Sequence, residues 1–275
     1  MKNYNFVFVV MLLALVVPVF AAGKKEKGEE KFKIEEVTFK AECDGTDQKY
    51  NLILPPRFQA GVKHDVLIAL HGHGSDRMQF VKDVFPEARA ARKTASEKSM
   101  IYVTPDYRGN TSWMGPKAEA DVVQIIGELK KKYKTGRIFI CGASMGGSSC
   151  LTFTALHPEL IDGVASMNGT ANHMEYDNFQ SYIKESFGGS KTDIPEEYKK
   201  RSAELWPEKF KMPVGITVGG QDKIVPPQSV LRLGAKLKDA NPDNVLVICR
   251  EKTAHTTSED DAITILNFII KKAAK

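Results

Sequence analysis

The segment IFICGASMGGSS, residues 138–149, decides the fold of this chain. Its first half is an apolar, β-branched run typical of a buried strand, and it leads into the pattern Gly-x-Ser-x-Gly centred on Ser144. Residues 150–156 are compatible with a helix, so we predict a sharp strand-to-helix turn with the serine at its tip. Glycines on both sides allow the backbone to turn tightly there. We therefore interpret Ser144 as a nucleophile, the alternative being an ordinary glycine-serine turn.

The rest of the chain alternates strands and helices around this segment. Apolar strand-like runs cover residues 33–42, 50–55, 65–70, 99–105, 138–143, 161–167, 214–218 and 245–249. Helical spacing of apolar residues predicts helices at 77–98, 119–134, 150–156, 229–237 and 260–271. The first two strands form a hairpin around an Asp-Gly turn. The strand–helix repeats that follow predict an α/β fold with a mostly parallel central sheet and helices on both faces.

Residues 168–211, which follow the sixth predicted strand, break this alternation. The stretch is long and polar, and it contains many aromatic residues. Insertions of this length in compact domains are typically lids or binding loops, so we predict that this one covers the candidate active site. An ordinary helical excursion is the alternative for its first half.

The N-terminal residues 1–21 have the pattern of a signal peptide. Lys2 supplies the positive charge, residues 6–20 supply a short apolar run, and Ala21 offers a small residue before a cleavage site. The apolar run is short for a membrane span, and no cysteine follows the cleavage site to carry a lipid. We expect a secreted or periplasmic protein with no stable membrane anchor after cleavage.

The composition of the remaining chain indicates a tether followed by one large domain. Residues 22–32 are charged and contain glycine, which predicts a flexible tether, and residues 33–275 have the length of a single α/β domain. The formal net charge is only +5, and removal of Lys2 lowers it by one. Basic and acidic residues are interspersed, so the sequence predicts no nucleic-acid partner.

Four cysteines leave the disulfide state open. They are Cys43, Cys141, Cys150 and Cys249. An exported protein can form disulfides, but Cys141 and Cys249 fall in strand-like runs and Cys150 falls in a predicted helix. We expect buried free thiols rather than a disulfide framework in a domain of this size.

A serine nucleophile needs a base and an orienting acid, and the chain offers both in a suitable order. In strand–turn–helix hydrolases the acid and then the histidine follow the serine along the chain. His255 lies between the last strand and the last helix, and it is the histidine that satisfies this order. Asp222 lies in a glycine-led loop after the penultimate strand and is the predicted acid. Asp239 and Asp243 are alternatives by residue type.

The tetrahedral intermediate of such a reaction needs backbone donors for its oxyanion. We predict that the amide of Met145, directly after Ser144, supplies one donor. The amide of His73, in the His-Gly-His-Gly loop at 71–74, supplies the other, while His71 braces the loop. His-x-His alone is a weak metal signal, and no acidic or cysteine partner lies at ligand spacing. We therefore expect no metal and no cofactor.

These motifs together resemble the α/β-hydrolase superfamily over residues 33–272. The Asp44-Gly45-Thr46 turn, residues 50–55 and the 71–74 loop resemble secreted feruloyl and acetylxylan esterases and polyhydroxybutyrate depolymerases. Residues 198–203, leading to Val225-Pro226, are similar to the catalytic domain of prolyl oligopeptidase-like proteins. Those peptidases usually carry an N-terminal β-propeller; we expect none here, because the stretch before this domain is too short, and this expectation places an esterase ahead of a peptidase.

The resemblance implies a secreted serine esterase that acts on carboxylic esters, among them acetyl or feruloyl esters of carbohydrates. Trp113 is expected to offer an apolar wall for a sugar or aryl group, unless it belongs to the core or rim of the domain. A prolyl oligopeptidase-like peptidase for small peptides is the second interpretation. A non-catalytic binding module on the same fold is the third.

Overall fold

The computed structural model describes residues 33–274, so the predicted signal peptide (1–21) and tether (22–32) lie outside the described residues. The strands are β1 (Ile34–Lys40), β2 (Asp47–Ile53), β3 (His64–Leu70), β4 (Ile101–Pro105), β5 (Thr135–Ala143), β6 (Gly163–Met167), β7 (Val214–Gly219) and β8 (Val245–Arg250). The helices are α1 (Gln79–Lys82), α2 (Pro86–Glu97), α3 (Pro116–Lys132), α4 (Met145–Leu156), α5 (Gln180–Phe187), α6 (Pro195–Lys200), α7 (Gln228–Ala240) and α8 (Glu259–Lys272). Short 3₁₀ turns cover Pro158–Leu160, Ala203–Leu205, Pro207–Lys209 and Pro242–Asn244.

The described strands form one sheet in the order β1-β2-β4-β3-β5-β6-β7-β8. The pairs β1–β2 and β2–β4 are antiparallel, and every other neighbouring pair is parallel. The carboxyl ends of the parallel strands therefore meet at one edge, where loops carrying polar residues converge. The structure confirms the predicted α/β-hydrolase fold with a mostly parallel sheet.

The sheet is buried on both faces because its central strands are apolar throughout. In β3, Val66, Ile68 and Leu70 belong to one apolar cluster, while Leu67 and Ala69 belong to the other. Helices α3, α4 and α7 cover the first face, and α2 and α8 cover the second. This alternation explains why a strand buried on both faces reads as an uninterrupted apolar run.

The predicted helix at 77–98 is in fact two helices, α1 and α2, joined by an extended turn. Pro86 begins α2, and its ring disfavours helical geometry in the residue before it. Val84 and Phe85 consequently leave the predicted apolar face and are 77% and 58% exposed. The prediction of helix is correct at both ends of the segment 77–98. It is wrong at Pro86, where the helix is interrupted.

The four cysteines are free thiols in the structure. Cys141 and Cys150 are buried, as predicted. Cys43 and Cys249 are exposed, so the prediction of a buried thiol at Cys249 is wrong. The reason is that Cys249 is the second-to-last residue of β8, the edge strand of the sheet, and the last two residues of that strand are exposed.

The segment 168–211 contributes to the core of the domain as well as to its surface. Tyr176, Ile183, Phe187 and Tyr198 from this segment are buried in the same apolar cluster as α3 and α4. A large part of the segment is therefore structural scaffold rather than a separate cover. Among residues 33–274, no helix has both the length and the apolar character needed to cross a membrane.

Replacing Arg201 in this segment with Ala is expected to destabilise the domain by about 3–5 kcal/mol. The Arg201 side chain is fully buried, and its guanidinium contacts Glu119 at 2.7 Å and Glu197 at 2.5 Å. It also donates a hydrogen bond of 2.7 Å to the carbonyl of Met114. The substitution removes this cation from the Glu119 carboxylate, whose side chain is 16% exposed and which keeps its contact with His157. Urea unfolding at pH 7 measures the loss, and Lys200→Ala on the exposed side of the same turn is the matched control.

Acid titration provides a second readout of the same ion pair. Burial by itself raises the pKa of Glu119, but the hydrogen bond with His157 and the charge of Arg201 outweigh it and hold this pKa at about 2. Because this folded-state pKa lies below the ordinary value, the contribution is complete above pH about 4.5 and is lost as the pH falls toward 2. The Arg201→Ala variant should lose less stability than the wild type over that pH range. An equal loss in both proteins would contradict this assignment.

Candidate active site

Ser144 occupies the tip of a tight turn between β5 and α4. Its backbone has φ +59° and ψ −120°, a conformation that non-glycine residues rarely adopt, and its N–H donates to the Met167 carbonyl at 2.8 Å. A Cβ on Gly146 would lie 2.1 Å from the Leu70 carbonyl oxygen, and one on Gly142 would lie 2.4 Å from Gly146. Only glycine fits at these two positions, so the spacing of the motif reflects close backbone packing beneath the serine.

The structure brings Ser144, His255 and Asp222 together from distant parts of the chain. The Oγ of Ser144 lies 2.9 Å from Nε2 of His255, and Nδ1 of His255 lies 2.6 Å from Oδ2 of Asp222. The other carboxylate oxygen, Oδ1, accepts hydrogen bonds of 2.9 Å from the amides of Ile224 and Val225. The Asp222 side chain is 1% exposed and that of His255 is 20% exposed. In this arrangement His255 can accept the serine proton through Nε2.

The alternative acids are placed elsewhere. Asp239 lies on α7 and Asp243 follows it in a 3₁₀ turn, and both are exposed. Neither residue forms a hydrogen bond or ion pair with His255 in the described part of the chain. Asp222 is therefore the acid that the fold presents to this histidine.

The loop after β3 presents the amide of His73 without an internal partner. The amide of Gly72 donates to Oε1 of Gln79, and that of Gly74 donates to the carbonyl of Asn110, both at 2.7 Å. Within residues 33–274 no acceptor is recorded for the His73 N–H. Its neighbours are thus fixed while this donor stays available for a ligand.

Met145 supplies the second available amide. It is the first residue of α4, and the first N–H groups of a helix have no carbonyl partner within the helix. Neither of the two predicted donors therefore has a recorded acceptor among residues 33–274. Met145 itself is fully buried, which fixes the backbone that carries its N–H.

His71 holds the 71–74 loop in place, as predicted from the sequence. Its buried ring lies between the carbonyl oxygens of Gly72 and Asp106, at 2.9 and 3.2 Å. Burial lowers the pKa of His71, which keeps the ring neutral near pH 7. The Tyr107 hydroxyl donates to the His71 carbonyl at 2.6 Å and adds a second fixed point.

The prediction that Trp113 forms a wall for substrate is wrong, because its side chain is fully buried. The indole N–H of Trp113 donates to Nδ1 of His73 at 3.3 Å, and the indole packs against Phe179. Burial lowers the pKa of His73, and its neighbour His71 lowers it further. Trp113 therefore orients the His73 ring from the core. Phe179 and Tyr182 pack on that ring, with centroids 4.5 and 4.6 Å away.

A cavity of about 220 Å³ opens at the serine. It is lined by residues from six parts of the chain: Gly72, His73, Gln79, Phe80, Phe85, Glu87, Ala88, Ala143, Ser144, Asn168 and His255. The sequence analysis did not identify Gln79, Phe85, Glu87 or Asn168 as site residues. The cavity combines apolar walls with a few polar groups, which is usual for small-ligand sites.

Asn168 connects the two loops that carry the acid and the histidine. It follows β6 directly and has φ +50°, in the left-handed region. Its Nδ2 donates to the Thr257 hydroxyl at 2.9 Å, and its Oδ1 accepts from the Gly219 amide at 3.2 Å. Its position at the carboxyl end of a parallel strand is the sequence signal that identifies it as a site residue.

Comparisons with known proteins identify the family and the fold of this chain. The sequence profile of the prolyl oligopeptidase family matches residues 86–273. Comparison with curated protein sequences gives no match. Among solved structures, a putative dipeptidyl aminopeptidase IV from Bacteroides ovatus is 21% identical with a TM-score of 0.69, over 90% of this chain and 36% of its own.

Two further structures represent a second peptidase and an esterase. Acylaminoacyl peptidase from Pyrococcus horikoshii is 19% identical with a TM-score of 0.67, over 88% of this chain and 42% of its own. A CE1 ferulic acid esterase from Anaeromyces mucronatus is 19% identical with a TM-score of 0.63, over 92% of this chain and 95% of its own. The chain therefore spans about two fifths of the length of the dipeptidyl aminopeptidase and of the acylaminoacyl peptidase. At these identities the likeness establishes the shared fold.

Proposed function

The chain belongs to the prolyl oligopeptidase family of α/β-hydrolases, and we propose that this serine hydrolase cleaves carboxylic esters of small acyl groups. One observation carries the proposal: the hydrogen bonds that run from Ser144 Oγ to His255, at 2.9 Å, and from His255 to Asp222, at 2.6 Å. That arrangement activates a serine hydroxyl for attack on a carbonyl carbon.

In the proposed acylation step, Nε2 of His255 takes the proton of Ser144 Oγ as the oxygen attacks the ester carbonyl carbon. The carbonyl oxygen becomes negatively charged, and the amides of Met145 and His73 donate hydrogen bonds to it. Each such donor can lower the barrier by about 3 kcal/mol. The tetrahedral intermediate then loses the alcohol, which receives the proton from His255, and an acyl-serine remains.

Deacylation repeats the sequence with water as the nucleophile. His255 takes a proton from water, hydroxide oxygen attacks the acyl carbon, and the Ser144 oxygen leaves and regains a proton. Throughout both steps Asp222 accepts the Nδ1–H of His255, which keeps the proton-accepting lone pair on Nε2. This mechanism uses no cofactor.

One comparison favours ester hydrolysis over peptide hydrolysis. The chain aligns with 95% of the ferulic acid esterase and with 36% and 42% of the two peptidases, so the aligned region corresponds to nearly the whole of that esterase. A cavity of about 220 Å³ at Ser144 has room for a small acyl group. We propose acetyl esters of carbohydrates as the natural class. Family membership keeps a small-peptide peptidase as the second candidate.

The first experiment compares hydrolysis of p-nitrophenyl acetate, methyl ferulate and alanine p-nitroanilide by the protein without its first 21 residues. Labelling with a fluorophosphonate and peptide mass mapping locate the nucleophile. We expect acetate turnover, little ferulate turnover and an adduct on Ser144. Cleavage of the anilide without ester turnover would favour the peptidase. Absence of both label and turnover would favour the binding module.

We also propose export, with residues 1–21 removed as a signal peptide. The supporting features are the charge of Lys2, the apolar run that follows it and the small residue Ala21. Mass spectrometry of protein recovered from the periplasm or the medium should find Ala22 as the first residue. An intact N-terminus in the membrane fraction would contradict this expectation.

A further inference from the structure

Glu87 brings a carboxylate to the wall of the candidate cavity, where neither proton transfer nor oxyanion binding uses it. The residue lies in the first turn of α2 and lines the cavity together with Ser144 and His255. One oxygen, Oε1, accepts a hydrogen bond of 3.1 Å from the Thr257 amide. In the described part of the chain, no Lys, Arg or His forms an ion pair with Glu87. Its negative charge is therefore available to a ligand.

An aromatic ring lies on the same wall. Phe85 stands two residues before Glu87, lines the same cavity and is 58% exposed. Because the Phe85 ring is largely exposed at the mouth of the cavity, it does not contribute to packing of the core. A carboxylate beside an aromatic face is the combination that binds an ammonium group, through charge and through the ring quadrupole.

The position of Glu87 assigns the ammonium group to the alcohol part of the ester. His255 delivers its proton to the departing alcohol, so the alcohol must lie against His255. Glu87 accepts a hydrogen bond from the amide of Thr257, which lies two residues beyond His255. Glu87 therefore lies on the His255 side of the reacting centre. We propose that Glu87 and Phe85 select esters whose alcohol carries an ammonium group, as an amino alcohol or an amino sugar does. This inference rests on the proposed esterase function.

Acetylcholine and 3,3-dimethylbutyl acetate test the inference directly, because they share the acetyl group and shape and differ in the charge of the alcohol. We expect wild-type kcat/KM to favour acetylcholine by about tenfold or more. Glu87→Gln keeps an oxygen that can accept from the Thr257 amide but removes the charge. It should lower the ratio of the two kcat/KM values by about tenfold. Phe85→Ala, at an exposed position, should lower the ratio several-fold.

Glu97→Gln is the matched control, because Glu97 is an exposed glutamate at the far end of the same helix. Its ratio should equal that of the wild type. The wild-type preference should also weaken as the salt concentration rises, since salt screens the attraction between charges.

Three results would overturn the inference. A wild-type ratio near one would show that the cavity does not recognise the charge. An equal fall of both kcat/KM values in Glu87→Gln would show that Glu87 merely positions the His255 loop through Thr257. Turnover of neither ester, without fluorophosphonate labelling of Ser144, would overturn the proposed function itself and the inference with it.

Discussion

Replacing Ser144 with Ala is expected to lower kcat for p-nitrophenyl acetate by about 10⁵–10⁶-fold, as loss of the nucleophile does in serine hydrolases. Without Oγ no acyl-enzyme can form, although the amides of Met145 and His73 remain to bind an oxyanion. Alanine keeps the Cβ, so the backbone conformation at φ +59° is no more strained than before. The variant should therefore fold normally. Initial rates corrected for spontaneous hydrolysis measure the effect, and fluorophosphonate labelling should disappear with it.

Ser149→Ala is the matched control for this substitution. Ser149 lies on the same helix, α4, and its hydroxyl is buried without a recorded hydrogen-bond partner among residues 33–274. Removing that hydroxyl leaves the contacts of His255 with Ser144 and Asp222 in place. The control should retain wild-type turnover and labelling. Labelling that survives in Ser144→Ala would place the nucleophile on another residue.

The sequence was sufficient for the fold and for the residues at the ends of the parallel strands. Local spacing predicted the Ser144 turn, because the glycines that pack beneath it belong to the same short segment. Chain order led to Asp222 and His255, which the structure places within hydrogen-bond distance.

The errors arose where the outcome depends on contacts between distant segments. Trp113 lies in a polar loop, but Tyr176 and Phe179 from the 168–211 segment cover its ring and place it in the core. Glu87 and Gln79 carry no local motif. Glu87 becomes a wall of the site because α2 packs beside the loop of His255, and Gln79 because its side chain reaches the Gly72 amide. Periodicity alone cannot show such pairings.

Replacing Asp222 with Asn should lower kcat by about 10⁴-fold while leaving the fold intact. The loss of kcat is expected because two kinds of donor surround the Asp222 carboxylate, namely backbone amides and the imidazole N–H. Its Oδ1 accepts from the amides of Ile224 and Val225, and its Oδ2 accepts from Nδ1 of His255. An asparagine has one oxygen, and two backbone donors are best satisfied when that oxygen takes the place of Oδ1. Its NH₂ group then faces His255.

An NH₂ group in that position donates to Nδ1 of His255 and moves the imidazole proton to Nε2. The atom that must accept the Ser144 proton then carries a proton of its own, and the 2.9 Å contact can no longer activate the hydroxyl. Steady-state kinetics with p-nitrophenyl acetate measure the loss, and circular dichroism checks the fold. Asp239→Asn on the exposed face of α7 is the control and should retain full turnover. Near-normal turnover in Asp222→Asn, with loss in Asp239→Asn, would move the acid to Asp239 and contradict the assignment.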